Sequence, residues 1–173
     1  PVHAVEHYSR HKLACEEIVR ECGLCWSITR FAAALPISIR LDSGMYDIPL
    51  DNRMEFVHAD DVAYALGQIL ETEEAWGRVL LIGGGPSCQV LYGDIVGKVL
   101  EGMGLEALPE RAFATRPFAT DWLDTRESQA LLRYQRRTLE DYVRDMRALL
   151  GPRRHLIRAF RPLVRVWLLW RSP

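Results

Sequence analysis

The sequence predicts an α/β protein, and specifically the back half of a doubly wound fold with a parallel sheet. Three observations predict it. Helical patterns alternate with short continuous apolar runs, two of them closed by Pro36 and Gly83, as expected for strands buried on both faces. Only two or three such runs occur, too few to close a sheet covered on both sides. The 173 residues, 49% hydrophobic and 26% charged, are enough for a domain that buries roughly 70% of its unfolded surface.

The elements follow in order. Residues 4–22 read as a helix, with Leu13, Cys15, Ile18, Val19 and Cys22 on a broad apolar face and Gly23 just past the end. Cys25–Leu35 (CWSITRFAAAL), closed by Pro36, reads as a buried strand. Residues 37–53 carry turn residues, and Met54–His58 is a short strand. Asp60 is the expected cap of a helix over 61–72, with Val62, Ala65, Leu66 and Ile69 inward. Arg78–Ile82 is a further buried strand, and Gly83-Gly84-Gly85-Pro86 a tight turn. Helices are predicted over 90–101, 126–132 and 139–150, with an irregular stretch at 106–120 and a stop at Gly151-Pro152.

The composition excludes a disordered chain, a collagen-like repeat and a disulfide miniprotein. No run approaches the ~18–20 apolar residues of a membrane span. The chain opens Pro1-Val2-His3, its first methionine is Met45, and no charged segment leads into an apolar stretch. The expectation is a removed start or a piece of a larger protein, not a signal peptide. The net charge of −1 hides an asymmetry. From Gly151 onward there are six arginines and no acid, which leaves 16 basic against 23 acidic residues in 1–150, a net −7. No nucleic-acid footprint stands out in this body. Cys22-Gly-Leu-Cys25 lacks a second ligand pair, so the four cysteines read as reduced, small apolar thiols, and no metal site is expected. His3, His7 and His11 share the i, i+4, i+8 spacing that aligns three imidazoles on a helix, and no metal is expected on them either.

Tyr8 and Lys12 are the sharpest chemical pair. At i and i+4 they lie one turn apart on one helix face. An ammonium beside a phenol favours the phenolate, which can take a proton from a substrate hydroxyl. The pair stands at the head of an ordered series. Glu16-Glu17 and a glycine come next, then a strand with Ile28-Thr29-Arg30-Phe31, then Phe56-Val57-His58-Ala59-Asp60-Asp61-Val62-Ala63. Leu81-Ile82-Gly83-Gly84-Gly85-Pro86, Trp122-Leu123-Asp124-Thr125 and Leu131-Leu132-Arg133-Tyr134 complete it. Over residues 5–150 this series resembles the C-terminal half of extended short-chain dehydrogenases/reductases, the NAD-dependent epimerase/dehydratase family.

The resemblance implies the C-terminal half of a Rossmann-type fold, without the N-terminal dinucleotide-binding βαβ units. It divides the chain into the end of the Rossmann-like core (1–36), a mixed core and substrate-binding subdomain (37–150) and a basic amphipathic tail (151–173). It implies Tyr8 as general acid/base, Lys12 on the nicotinamide ribose, and Phe31, Ala32 and Ala33 beside the cofactor. Arg53 is a substrate-binding candidate, poorly spaced for the arginine that some sugar-nucleotide members place on phosphate. Arg30, His58 and Asp61 are implied to be structural. The implied cofactor is NAD or NADP, and the implied reaction is tyrosine-mediated proton transfer coupled to hydride transfer at a hydroxyl or keto group, with nucleotide sugars among the candidate substrates. The family's Gly-x-x-Gly-x-x-Gly turn and catalytic Ser/Thr have no counterpart here, and Ala33 and Pro36 depart from the nucleotide-sugar pattern. The chain alone is therefore expected to bind cofactor weakly or not at all and to be inactive. Its expected partners are a small-molecule substrate, the missing N-terminal half or another subunit, and a second copy meeting it through the Tyr8/Lys12 helix.

The tail adds a different expectation. Arg154, Arg158, Arg161 and Arg165 step by 4, 3 and 4, against a stripe of Ile157, Phe160, Val164, Trp167 and Leu168. That pattern suits either a terminal helix packed on the body or a membrane-surface segment, with Pro162 kinking it or starting a fresh helix. The chain is expected to be cytoplasmic, with peripheral membrane contact through 152–173. The alternative to an enzyme portion is a non-catalytic, truncated family member acting as an interaction or membrane-peripheral module.

Overall fold

The computed structural model describes residues 7–38 and 43–172. The expected first turn of the first helix and His3 lie outside them. In chain order the elements are α1 (His7–Glu21), β1 (Ile28–Phe31), β2 (Arg53–Glu55), α2 (Ala59–Glu71), β3 (Val79–Ile82), β4 (Gln89–Leu91), α3 (Tyr92–Met103), α4 (Arg126–Leu132), α5 (Leu139–Leu150), α6 (Arg153–Ala159) and α7 (Arg161–Trp170). A 3-10 turn at Ser43–Asp47 interrupts the long connection before β2.

Two small sheets carry the fold. β1 pairs with β3 in parallel, Ile28 opposite Val79 and Phe31 opposite Ile82. β2 pairs with β4 antiparallel, Arg53 opposite Leu91. Beyond β1 the chain stays extended and links the two sheets. The Ala32 N–H donates to the Ile82 carbonyl at 2.8 Å, the Ala33 N–H to the Glu55 carbonyl at 3.0 Å, and the Val57 N–H to the Ala33 carbonyl at 3.0 Å. The larger core cluster joins α3 and α5 to Phe56 and the turn residue Tyr46. The smaller one packs α2 and β3 with Leu132 and Tyr134.

Several expectations need correction. The predicted strand 25–35 is shorter and half open. Leu24, Cys25 and Phe31 are exposed, and β1 has β3 on one side as its partner among the described residues. The apolar face of α1 is likewise uncovered, with Ile18 and Val19 exposed and Glu16 its buried residue. The cap of α2 is His58, not Asp60. The Asp60 N–H donates to His58 Nδ1 at 3.1 Å, and Leu66 faces solvent. The helix predicted from residue 90 begins at Tyr92, because residues 89–91 are drawn into β4 by β2. The Leu91 N–H then meets the Asp94 carboxylate at the helix start.

The structural reading of His58 and Asp61 holds. Both are fully buried. One Asp61 oxygen accepts the N–H groups of Arg136 (3.0 Å) and Arg137 (2.9 Å), fixing the approach to α5. At Pro162 the tail starts a fresh helix: α6 ends at Ala159 and α7 carries the proline in its first turn, where its missing N–H costs nothing.

A buried carboxylate stands at the centre of these pieces. Glu55 is 1% exposed. Its oxygens accept the Gly85 N–H (2.9 Å), the Gln89 amide (3.0 Å) and the Leu123 N–H (2.7 Å). A side chain at Gly83 would collide with this carboxylate. That explains the glycine run by close packing, as the turn reading required. Glu55→Gln puts an NH2 among donors that need an acceptor. It is expected to lower stability by about 2–4 kcal/mol, read as a lower urea midpoint with unchanged slope.

Candidate functional site

Tyr8 and Lys12 sit on the outer face of α1, and Tyr8 is 70% exposed. The Lys12 ammonium lies 5.4 Å from the centre of the Tyr8 ring, over its face rather than at the hydroxyl. The helix that presents them is fastened to β1 by one ion pair. Arg30 reaches back with Nε at 2.8 Å and Nη2 at 2.7 Å from the two Glu16 oxygens, and Arg20 adds a third bond at 3.0 Å. This fork is why Arg30 is structural. It ties the Tyr8/Lys12 helix to the strand leading to Phe31, Ala32 and Ala33.

Those three residues diverge in setting. Phe31 is exposed at the C-terminal end of β1, the end of a parallel strand where α/β proteins hold ligands. Ala32 and Ala33 are half-buried and hold the link between the sheets. Ala33 also lines a cavity of about 460 Å³, together with residues of the 3-10 turn and of α3. Tyr8 and Lys12 are not among its lining residues. Arg53 does not line the cavity. Its guanidinium stacks on Trp122 at 4.0 Å, pairs with Asp121 at 3.0 Å and lines an adjoining shallow depression with Asn52 and Thr120, and Thr120 lines the cavity as well.

Sequence reasoning missed the cavity and its tyrosines. Tyr92 and Tyr142 point their hydroxyls at backbone, donating to the Met45 carbonyl (3.0 Å) and the Pro36 carbonyl (3.2 Å). Burial pushes the Tyr92 phenol up to about 12, and burial raises Tyr142 as well. Both stay neutral at any physiological pH. Glu55 was also missed; a lone acid in the apolar run MEFVH was its signal.

The glycine run is no phosphate cradle. The Gly83 N–H donates to the Tyr134 hydroxyl, the Gly84 N–H to the Phe56 carbonyl and the Gly85 N–H to Glu55. All three donors are committed. The glycine turn therefore has no N–H group to offer the pyrophosphate of a dinucleotide. Among the described residues, His58, Asp60 and Asp145 form the group with metal-ligand spacing. Nδ1 accepts the Asp60 N–H, while the buried Nε2 lies 3.4 Å from an Asp145 carboxylate oxygen without a hydrogen bond to it.

No protein-family model and no curated protein sequence matches the chain. Solved structures do. A short-chain dehydrogenase/reductase superfamily protein from Agrobacterium tumefaciens, with bound NAD, superposes with a TM-score of 0.69 at 15% identity over 93% of this chain and 62% of that one. The fold is part of a short-chain dehydrogenase/reductase fold. UDP-glucuronic acid 4-epimerase from Bacillus cereus in complex with NAD gives 0.65 at 18% identity, covering 87% of this chain and 53% of that one. UDP-glucose 4-epimerase from Bifidobacterium longum, in complex with NAD+ and UDP, gives 0.64 at 15% identity, covering 87% and 56%. The chain thus spans between about half and three-fifths of the length of these three structures.

The clasp on α1 has a pH signature. The hydrogen bond from Arg30 is the largest cause holding the Glu16 carboxyl below its ordinary value of 4.5. A depressed carboxyl contributes stability that is present above its unfolded value and lost as pH falls through the folded one. Amide exchange in α1, corrected for the intrinsic pH dependence of exchange, should therefore accelerate as pH drops below about 4.5. Glu16→Gln should speed it about tenfold at neutral pH and flatten that acid step.

Proposed function

We propose that the chain is the substrate-side portion of an NAD(P)-dependent oxidoreductase or epimerase acting at a hydroxyl or keto carbon. The observation that carries this reading is the Tyr8/Lys12 pair, one turn apart on a helix clamped to β1, in a fold shared with NAD-bound structures. In this reading Tyr8 Oη takes the proton of the substrate hydroxyl as the carbinol carbon loses its hydrogen with both electrons and becomes a carbonyl. The nicotinamide cofactor, when bound, supplies the acceptor for that hydride. Lys12, one turn along the helix, contacts the ribose. Phe31 flanks the nicotinamide position, and Ala33, with its single methyl, leaves room for the reacting carbon. The open apolar face of α1 is assigned to the dinucleotide-binding half or to a second subunit.

In the protein carrying the dinucleotide-binding half, Tyr8→Phe is expected to lower kcat about 10²- to 10⁴-fold with cofactor affinity unchanged. Steady-state rates and calorimetric titration of NAD and NADP measure the two effects. Retained turnover refutes the role of Tyr8.

A second reading, a membrane-peripheral module, is favoured by the tail. It has two apolar rows rather than one. Ile157, Val164, Leu168 and Leu169 pack on the larger core. Docking is locked by the Tyr46 hydroxyl on the Leu168 carbonyl (2.7 Å), Arg165 on the Ala107 carbonyl (2.8 Å) and Ser172 on the Ala112 carbonyl (2.8 Å). Phe160 and Trp167, expected in that same row, point outward with Leu156, Leu163 and Trp170, spaced 4, 3, 4 and 3. No helix among the described residues is long and apolar enough to cross a membrane. An outward row of Leu, Phe and Trp flanked by arginines suits the plane of an anionic surface. The chain should co-sediment with phosphatidylserine vesicles and lose that binding in Leu163→Glu/Trp167→Glu. Equal sedimentation of the two removes this reading.

A further inference from the structure

The cavity beside Ala33 has a chemistry of its own. All four methionines of the chain, Met45, Met54, Met103 and Met146, line it. They come from the 3-10 turn, β2, α3 and α5, so four separate elements deliver the same soft, adaptable side chain to one space. Methionine fits itself to irregular apolar shapes. No charged side chain lines the cavity among the described residues. Its two phenols are neutral and turned onto backbone carbonyls, and the Thr120 hydroxyl bonds Asn52 and the Arg53 carbonyl. Ser38 is the lining hydroxyl that no described residue engages. At about 460 Å³ the space matches the pockets that enclose drug-sized ligands.

A nucleoside diphosphate sugar needs cations or free N–H groups for its phosphates. Arg53, the candidate for that duty, is held outside by Asp121 and Trp122. We propose that this cavity binds an uncharged alcohol or ketone on a largely hydrocarbon frame, with Ser38 positioning its oxygen. The assignment rests on the oxidoreductase reading for its alcohol-or-ketone part, since Ala33 joins the cavity wall to the strand end beside the assigned nicotinamide position. The apolar part stands on the lining alone.

The test is fluorescence titration of the chain with N-phenyl-1-naphthylamine, a neutral apolar dye, followed by competition. One dye is expected to bind per chain at micromolar concentration. 2-Decanone should displace it, and millimolar UDP-glucose should not. Val99→Trp, which fills the cavity from α3, should weaken dye binding at least tenfold with an unchanged circular dichroism spectrum. Met45→Trp does the same from the 3-10 turn if the first variant does not fold. Ser38→Ala should weaken 2-decanone about fivefold and leave the dye unaffected. Leu163→Glu/Trp167→Glu in the tail should change nothing. Absence of dye binding, undiminished binding by a folded cavity-filled variant, loss in the tail variant, or displacement by UDP-glucose each overturns the proposal. Dye binding needs neither nicotinamide nor Tyr8, so Tyr8→Phe leaves it intact. The catalytic reading and the ligand class therefore fail independently.

Discussion

The arrangement of this chain depends on one buried carboxylate. Glu55 ends β2 with its charge out of water, a position that is costly unless every lone pair is used. The partners that use them come from the glycine turn after β3, from β4 and from the segment at Leu123. The one side chain thus aligns the edge of the parallel pair with the antiparallel pair. It also sets what can surround it. Gly83 lacks a side chain because the carboxylate occupies that place, and Gly84 lacks one because the Phe56 carbonyl and Cys88 do. The Ala33 bridge to Phe56 lies one residue further along the same strand, so the wall of the cavity inherits its position from this carboxylate.

Much of the fold was legible in the sequence, for identifiable reasons. α2, α3, α4 and α5 have apolar residues at helical spacing; Thr72, Gly104 and Gly151 end α2, α3 and α5, while α4 ends on Arg133 in the left-handed conformation. β3 is an apolar run of strand length, and Gly83 ends it. What escaped is what local pattern cannot encode. β4 is three residues long and exists because β2 lies opposite it. His58 caps α2 through a ring nitrogen, and histidine is outside the usual group of capping residues. The tail's two rows overlap in spacing, so sorting Trp167 from Leu168 requires knowing which side the body is on.

The candidate site divides along the same line. Tyr8 and Lys12 are visible because their relation is local, four residues on one helix. Arg30 as a structural residue is visible through the resemblance, but its partner Glu16 is not, being fourteen residues away on another element. The cavity is the extreme case. Its methionines are spread from residue 45 to residue 146, and no window of sequence contains more than a fraction of the wall.

The bond from the Tyr46 hydroxyl to the Leu168 carbonyl spans 122 residues of chain. At one end it holds α7, whose outer row is bare. At the other it holds the 3-10 turn whose Gly44 and Met45 form a wall of the cavity. One phenol thus fastens an early turn of the chain to its last helix, beside the cavity that the turn lines.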